Sequence, residues 1–401
     1  MYSEEIMAKE GQYFLATYNR FPVVFTGGQG VYLFDAEGTK YLDLMAGIAV
    51  NILGYGFAPL IEAIREEVGH LLHTSNLYYS VPQVELAERL AKKSGFPRVF
   101  LVNSGAEANE VALKMARFYG RKKHGKRYKF ISFYRSFHGR TLLTLGLTGQ
   151  EKFHRYLDPF PAGIHYAYLN DLESVQQVLD DEVCGIIVEP IQGEGGIYPC
   201  AGSFLQGLRA LCDERDLILI FDEVQCGMGR TGRFFAFEHF GVQPDLVTLA
   251  KGLGGGLPIG AVLVSEKIAS FTERGEHGST FGGNPVCARS ACVVVDTVSE
   301  EAFLEAVRKK GEFFLQELQR LREDFPGLVK EVRGIGLMLG LEIPGKAKLL
   351  AQTMFAHRVL INACNDDTVR FLPPLVIEEE NLREGIAVLR RSLSELEKRE
   401  A

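Results

Sequence analysis

The chain has 401 residues, enough for two to three domains, each able to bury a core of its own. Hydrophobic residues make up 46% and charged residues 24%, an ordinary balance for a globular protein, and the net charge of −7 argues against general nucleic-acid affinity. No apolar run approaches membrane-spanning length, the N-terminus MYSEEIMAKE has no signal-peptide core, and the seven cysteines form no C-x-x-C pair; the expectation is a cytoplasmic protein without a membrane span or a metal site.

The first recognisable unit is a hairpin-like segment at Val31–Leu44 (VYLFDAEGTKYLDL). Arg98–Val102, Phe130–Phe133, Gly185–Val188, Leu217–Phe221, Leu246–Leu249 and Ala261–Val264 are short, apolar and bounded by turn residues, which predicts buried strands. Between them Ala108, Val111, Ala112, Met115 and Tyr119 recur at helical spacing, as do Leu205, Leu208, Leu211 and Cys212. Such alternation predicts a mostly parallel α/β sheet. The basic run Arg121–Lys129 reads as a solvated loop, since only Tyr128 offers a base a ring to stack on. The pattern changes near residue 297. Leu304, Val307, Phe314, Leu318 and Leu321 predict a long helix, short strands follow around Val329–Val332, Leu337–Ile343 and Val369–Leu372, and Leu382 to Leu396 predict a last helix. This divides the chain into a large domain, 46–296, and a smaller α+β domain, 297–401, with the N-terminal segment 1–45 packed against the latter.

Lys251 follows the apolar run Leu246–Ala250 and precedes the glycine-rich turn Gly252–Pro258. Burial there lowers an amine's pKa, and a lysine that is neutral part of the time forms Schiff bases. Asp222 and Glu223 stand at the C-terminal end of a predicted strand, where open α/β sheets bind ligands. A nucleotide-hydrolase aspartate at that place needs G-x-x-x-x-G-K-[ST], which the chain lacks. A carboxylate that keeps a pyridine ring protonated and an acid that caps the next turn both remain open. Ser104 and Glu107 have capping-box spacing, and Gly105 brings the free N–H groups of a helix start within reach of an anion. Phe137 suits stacking on a planar ring, Arg140 suits bidentate clamping of a carboxylate, and His138 between them reads as a packed neighbour or loop hydrogen-bonder. Glu194 lies in a glycine-rich segment at another strand end, and Ser279 and Thr280 in a segment whose hydroxyls and amides suit a phosphate. Arg370, on an otherwise apolar strand, wants an acidic partner or a ligand. Asp222 and Lys251 are 29 positions apart, one strand–helix–strand step, so both can reach the same sheet edge. Taken together, a phosphate cup, a stacking ring, a pyridinium partner and a Schiff-base lysine make up a pyridoxal 5′-phosphate site.

NSGAEANE, FHGRT, EPIQGEGG, FDEVQCGMGRTG, LAKGLGGGLPIGA, GSTFGGNP and VRFLPPLVI occur in the order seen in class III pyridoxal-phosphate aminotransferases. Over nearly its whole length the chain most resembles the acetylornithine aminotransferases of that class. The resemblance implies fold type I, with a mostly parallel, seven-stranded-type sheet and a smaller α+β domain. It implies that Lys251 forms the Schiff base, that Asp222 pairs with the pyridine nitrogen with Glu223 beside it, and that Gln225 contacts the ring's phenolic oxygen. Ser104, Gly105 and Ala106 would hold the phosphate and Phe137 would stack on the ring. Thr280 would reach the cofactor of a neighbouring subunit, making a homodimer the active unit. Arg140 and Ser279 would bind an acylated amino acid, and Arg370, neutralised in turn by Glu194, would take the α-carboxylate of 2-oxoglutarate. The implied reaction carries the ω-amino group of N2-acetyl-L-ornithine to 2-oxoglutarate, as in arginine biosynthesis. Ornithine, succinylornithine, succinyldiaminopimelate and 4-aminobutyrate are the alternative donors. A non-catalytic cofactor-binding regulator is the reading from another class, and the chain shows no helix-turn-helix extension to support it.

Overall fold

The computed structural model describes residues 2–399. At its centre lies a seven-stranded sheet in the order Arg98–Val102, Gly260–Val264, Leu246–Leu249, Ile218–Asp222, Val183–Val188, Lys129–Phe133, Ile164–Ala167. Every pairing is parallel except the two made by Gly260–Val264. The central strands are buried on both faces, which is why they read as continuous apolar runs and not as alternating ones. Ile164–Ala167 (IHYA) went unpredicted because an edge strand can be half-exposed and carry a histidine and a tyrosine. The reversed direction of Gly260–Val264 follows from its connection. Residues 250–259 hold only the short turn Lys251–Gly254, too little chain for the crossover that a parallel return requires.

The helix Gly105–His124 begins abruptly after the strand Arg98–Val102 because two side chains cap it. Ser104 Oγ accepts the Glu107 N–H at 3.2 Å, and the Glu107 carboxylate accepts the Asn103 N–H at 2.6 Å. Its inner face, with Ala108, Val111, Ala112, Met115 and Tyr119, packs on the sheet. The basic run is the solvated loop expected only over residues 125–128. Arg121–His124 complete this helix, at the end where its dipole favours cations. Carboxylates hold the lysines: Lys122 to Glu276 at 2.5 Å, Lys123 to Asp216 at 2.8 Å and Lys129 to Asp180 at 2.7 Å.

A second, wholly antiparallel sheet runs Glu331–Ile335, Met338–Glu342, Thr368–Phe371, Asn362–Ala363. The helix Glu301–Asp324 packs on it through Phe314, edge-on to Phe371 at 5.2 Å. The N-terminal hairpin of Tyr32–Asp35 and Lys40–Asp43 joins this end of the molecule, since Lys40–Asp43 pairs with Val359–Leu360. Arg230 ties the two ends together: buried, it donates from Nη1 to the carbonyls of Leu337 and Pro373 at 3.1 and 2.5 Å. The strand carrying Arg370 is thereby held against the C-terminal edge of the large sheet.

Candidate active site

Asp222 ends the central strand, and the parallel register sets it beside Thr248, three residues before Lys251. Both residues therefore emerge at the carboxyl edge of neighbouring strands, where a cavity of about 440 Å³ opens. Lys251 has φ of +43°, a left-handed conformation that costs a non-glycine residue roughly 1–2 kcal/mol. Such strain persists where the surrounding structure over-determines the geometry.

The Asp222 carboxylate is 3% exposed and fully engaged. Oδ2 accepts from Asn109 Nδ2 at 2.8 Å and from His138 Nδ1 at 2.7 Å, and Oδ1 accepts the Val224 N–H at 3.1 Å. Asn109 is held in turn by the His138 carbonyl at 2.7 Å and the Thr248 hydroxyl at 2.8 Å. His138 thus does more than pack: it orients the acid. Asn109 was missed as a contributor. The available signal was an amide on the apolar face of a helix, because a buried amide demands partners.

Glu189 is a second missed residue. Its oxygens accept the N–H groups of Phe137 and Gly193 at 3.0 and 3.2 Å. Burial pushes its carboxyl up to about 7, with His138 opposing. It thereby fixes both the ring of Phe137 on the cavity wall and the start of the segment that bears Glu194.

Arg370 is fully buried. It donates from Nη1 to Glu194 Oε1 at 2.7 Å and to Gln225 Oε1 at 3.0 Å, and from Nη2 to Asn362 Oδ1 at 2.7 Å. Burial raises the Glu194 carboxyl, but Arg370 and then Lys251 outweigh it and hold the group below the usual range. Burial lowers the Lys251 amine; Glu194 opposes that shift and Arg370 adds to it. These three side chains act as one electrostatic cluster.

Arg140 borders the same cavity, its guanidinium 4.0 Å over the Phe153 ring. Glu223, expected beside the cofactor, points elsewhere. Successive side chains at a strand end face opposite ways, and its carboxylate accepts the N–H groups of Ala236 and Phe237 at 2.8 and 2.7 Å. Ser279 and Thr280 also stand outside the cavity within one chain. Ser279 Oγ accepts from Asn103 Nδ2 at 3.3 Å and lines an adjoining recess, and Thr280 is exposed.

The model of the aminotransferase class-III family matches residues 13–393. The chain belongs to that family. The acetylornithine aminotransferase of Methanocaldococcus jannaschii is 45% identical to this aminotransferase over 99% of the present chain and 100% of its own. That of Aquifex aeolicus is 48% identical over 95% and 100%. Among solved structures, the ornithine aminotransferase of Toxoplasma gondii matches with a TM-score of 0.95 at 29% identity, covering 99% of this chain and 96% of that one. The N-acetylornithine aminotransferase of Stenotrophomonas maltophilia matches with 0.84 at 37% identity, covering 97% and 98%.

The aminotransferase uses pyridoxal 5′-phosphate, and its cavity suits that group. The first N–H groups of a helix lack intrahelical partners, and those of Gly105 and Ala106 lie at the cavity wall, where they suit a phosphate. A Cβ on Gly105 would meet Val224 Cγ1 at 2.7 Å, so only glycine lets the backbone come this close. Phe137 offers a flat wall, Asp222 an oriented carboxylate and Lys251 an amine of lowered basicity.

Proposed function

We propose that this aminotransferase carries the ω-amino group of N2-acetyl-L-ornithine to 2-oxoglutarate, yielding N-acetylglutamate 5-semialdehyde and glutamate. Identities of 45% and 48% with acetylornithine aminotransferases support the donor. The observation that carries the two-substrate part is the 2.7 Å pair between Glu194, on the cavity wall, and the buried Arg370 behind it.

Ser104, Gly105 and Ala106 would hold the cofactor's phosphate, Phe137 its ring face, Gln225 its ring edge and Asp222 its ring nitrogen, with Asn109 and His138 fixing that acid. When bound, the cofactor supplies an electron sink for a substrate carbon that loses a proton. Lys251, its basicity lowered by burial, would take that proton and deliver it to a different atom from the one it left, so that the amino group changes owner. Arg140 takes the carboxylate far from the reacting carbon in both half-reactions. An ω-amino donor lays an aliphatic chain beside Arg370, where a lone buried cation would be costly; Glu194 neutralises it. 2-Oxoglutarate brings a carboxylate next to its keto carbon, and Glu194 yields Arg370 to it. Ser279 and Thr280 of a second copy complete the site in a homodimer. We place the enzyme in the cytoplasm; among the described residues no helix is long and apolar enough to cross a membrane.

A donor panel tests the assignment. Acetylornithine is expected to exceed ornithine and 4-aminobutyrate in kcat/KM by roughly 10–200-fold, the range open to a cap or a methylene. Preference for ornithine would replace the donor. Glu194→Ala is expected to move the ratio of ω- to α-amino donors toward the α-amino side by about tenfold. An unchanged ratio removes the switch.

A further inference from the structure

Arg333 does not border the active cavity, yet the small sheet joins it to the Glu194–Arg370 pair. The register sets Arg333 opposite Gly340, Gly340 opposite Arg370, and Arg370 opposite Asn362. Residues directly opposite in antiparallel strands project to one face. This rung therefore presents two arginines with a gap between them at Gly340. The segment that bears Glu194 crosses the gap: a Cβ on Gly340 would lie 2.9 Å from Ile197 Cβ and 3.4 Å from the Gly196 carbonyl oxygen. On one side Arg333 Nε donates to that carbonyl at 2.8 Å; on the other Arg370 Nη1 donates to Glu194 at 2.7 Å.

Arg333 is itself held on several sides. Its Nη1 donates to Glu342 at 2.5 Å and Glu331 at 2.8 Å, and its Nη2 to the Thr368 hydroxyl at 3.1 Å, two residues before Arg370 on the same strand. Its guanidinium lies 4.0 Å over the Tyr198 ring. Asn365 adds a bond from Nδ2 to the Gly195 carbonyl at 3.1 Å. The held segment contains Gly195 and Gly196, the latter at φ +124°, and glycine backbone is the most mobile when free.

We propose that Arg333 is a positioning residue for donor selectivity. It pins the backbone two residues beyond Glu194, so that the exchange of Glu194 for a substrate carboxylate on Arg370 is a side-chain movement over a fixed loop. This rests on the switch reading of Glu194 given above. Cutting the clamp lets the loop carry Glu194 away from Arg370. The guanidinium is then free more of the time, and α-carboxylates gain at the expense of ω-amino donors.

The test uses the holoenzyme and three variants. Arg333→Gln removes the clamp. Asn365→Asp removes only the donor to Gly195 while keeping the acceptor that takes the N–H groups of Asp367 and Thr368. It keeps the question decidable where Arg333→Gln does not fold. Glu194→Ala is the reference. Two quantities are read: the ratio of kcat/KM for acetylornithine to that for L-glutamate, and the calorimetric affinity for glutarate, a dicarboxylate that cannot react. Both clamp variants are expected to lower the ratio about fivefold and to bind glutarate more tightly by a similar factor. Added to Glu194→Ala, either is expected to change the ratio by less than about twofold. A ratio that moves in Glu194→Ala but in neither clamp variant overturns the role of Arg333 and leaves the switch intact. An equal fall for both substrates also overturns it, since that marks a purely structural part. A ratio unmoved by Glu194→Ala removes the switch and this inference together.

Discussion

Asp222 owes its direction to two neighbouring side chains, one behind the cavity and one on its wall. Asn109 and His138 both hold Oδ2, leaving the carboxylate one orientation at the end of its strand. Replacement by the isosteric asparagine keeps the shape and removes the charge. Asp222→Asn is expected to lower kcat by about 10²-fold or more while the protein still retains its cofactor through dialysis. Loss of cofactor in step with activity would make Asp222 an anchor and not a tuner of the ring. Glu194 bonds Arg370 and is the largest carboxylate influence on Lys251, with Asp222 and Glu189 acting in the same direction.

The strand Ile218–Asp222 delivers two acids to opposite destinations, Asp222 to the cavity and Glu223 to the start of the turn Ala236–His239. Burial pushes the Glu223 carboxyl up to about 8 from 4.5, against the pull of its two backbone donors. In the window between those values the folded protein keeps a proton that the unfolded chain has released, so this group's contribution to stability falls as pH rises. Glu223→Gln cannot titrate. Its melting temperature relative to the parent is expected to rise from about pH 5 to about pH 8 in scanning calorimetry; a constant difference would show that Glu223 is already charged in the fold. At this scale much was legible beforehand. The strand Leu246–Leu249 coincides with an apolar run bounded by turn residues, because a strand covered on both faces needs such a run. The edge strand Ile164–Ala167 has no such run, since His165 and Tyr166 interrupt it at a half-exposed position. Alternation, too, was blind to Glu223: it says that adjacent side chains part, not which of them meets the ligand.

At the scale of the whole molecule, an exposed apolar face lies beside the segment of Ser279 and Thr280. Leu77 is 85% exposed, Tyr79 97%, Val81 63% and Phe281 60%. Asn76 Nδ2 donates to the carbonyls of Ser279 and Gly282 at 2.8 and 3.0 Å, joining this apolar face to the segment that carries Thr280. Apolar patches of this kind mark association sites, and in the proposed homodimer a second copy placed here would bring Ser279 and Thr280 to a neighbouring cavity. Sedimentation of the parent is expected to give a dimer, and Leu77→Asp with Phe281→Asp a monomer whose specific activity is reduced. A fully active monomer would overturn the homodimer.

Local order was the sequence's own to determine. Lys251 and Asp222 stand at the ends of apolar strands, Ser104 starts a helix, and glycines follow where the backbone must turn, all from spacing within a few residues. Tertiary structure alone decided the partnerships. Asn109 meets Asp222 across 113 positions and Arg333 meets Gly196 across 137. Each pairing depends on which strands become neighbours and on where a loop crosses them. Polar side chains that lose water together must then satisfy one another, a condition that exists only once the core has closed.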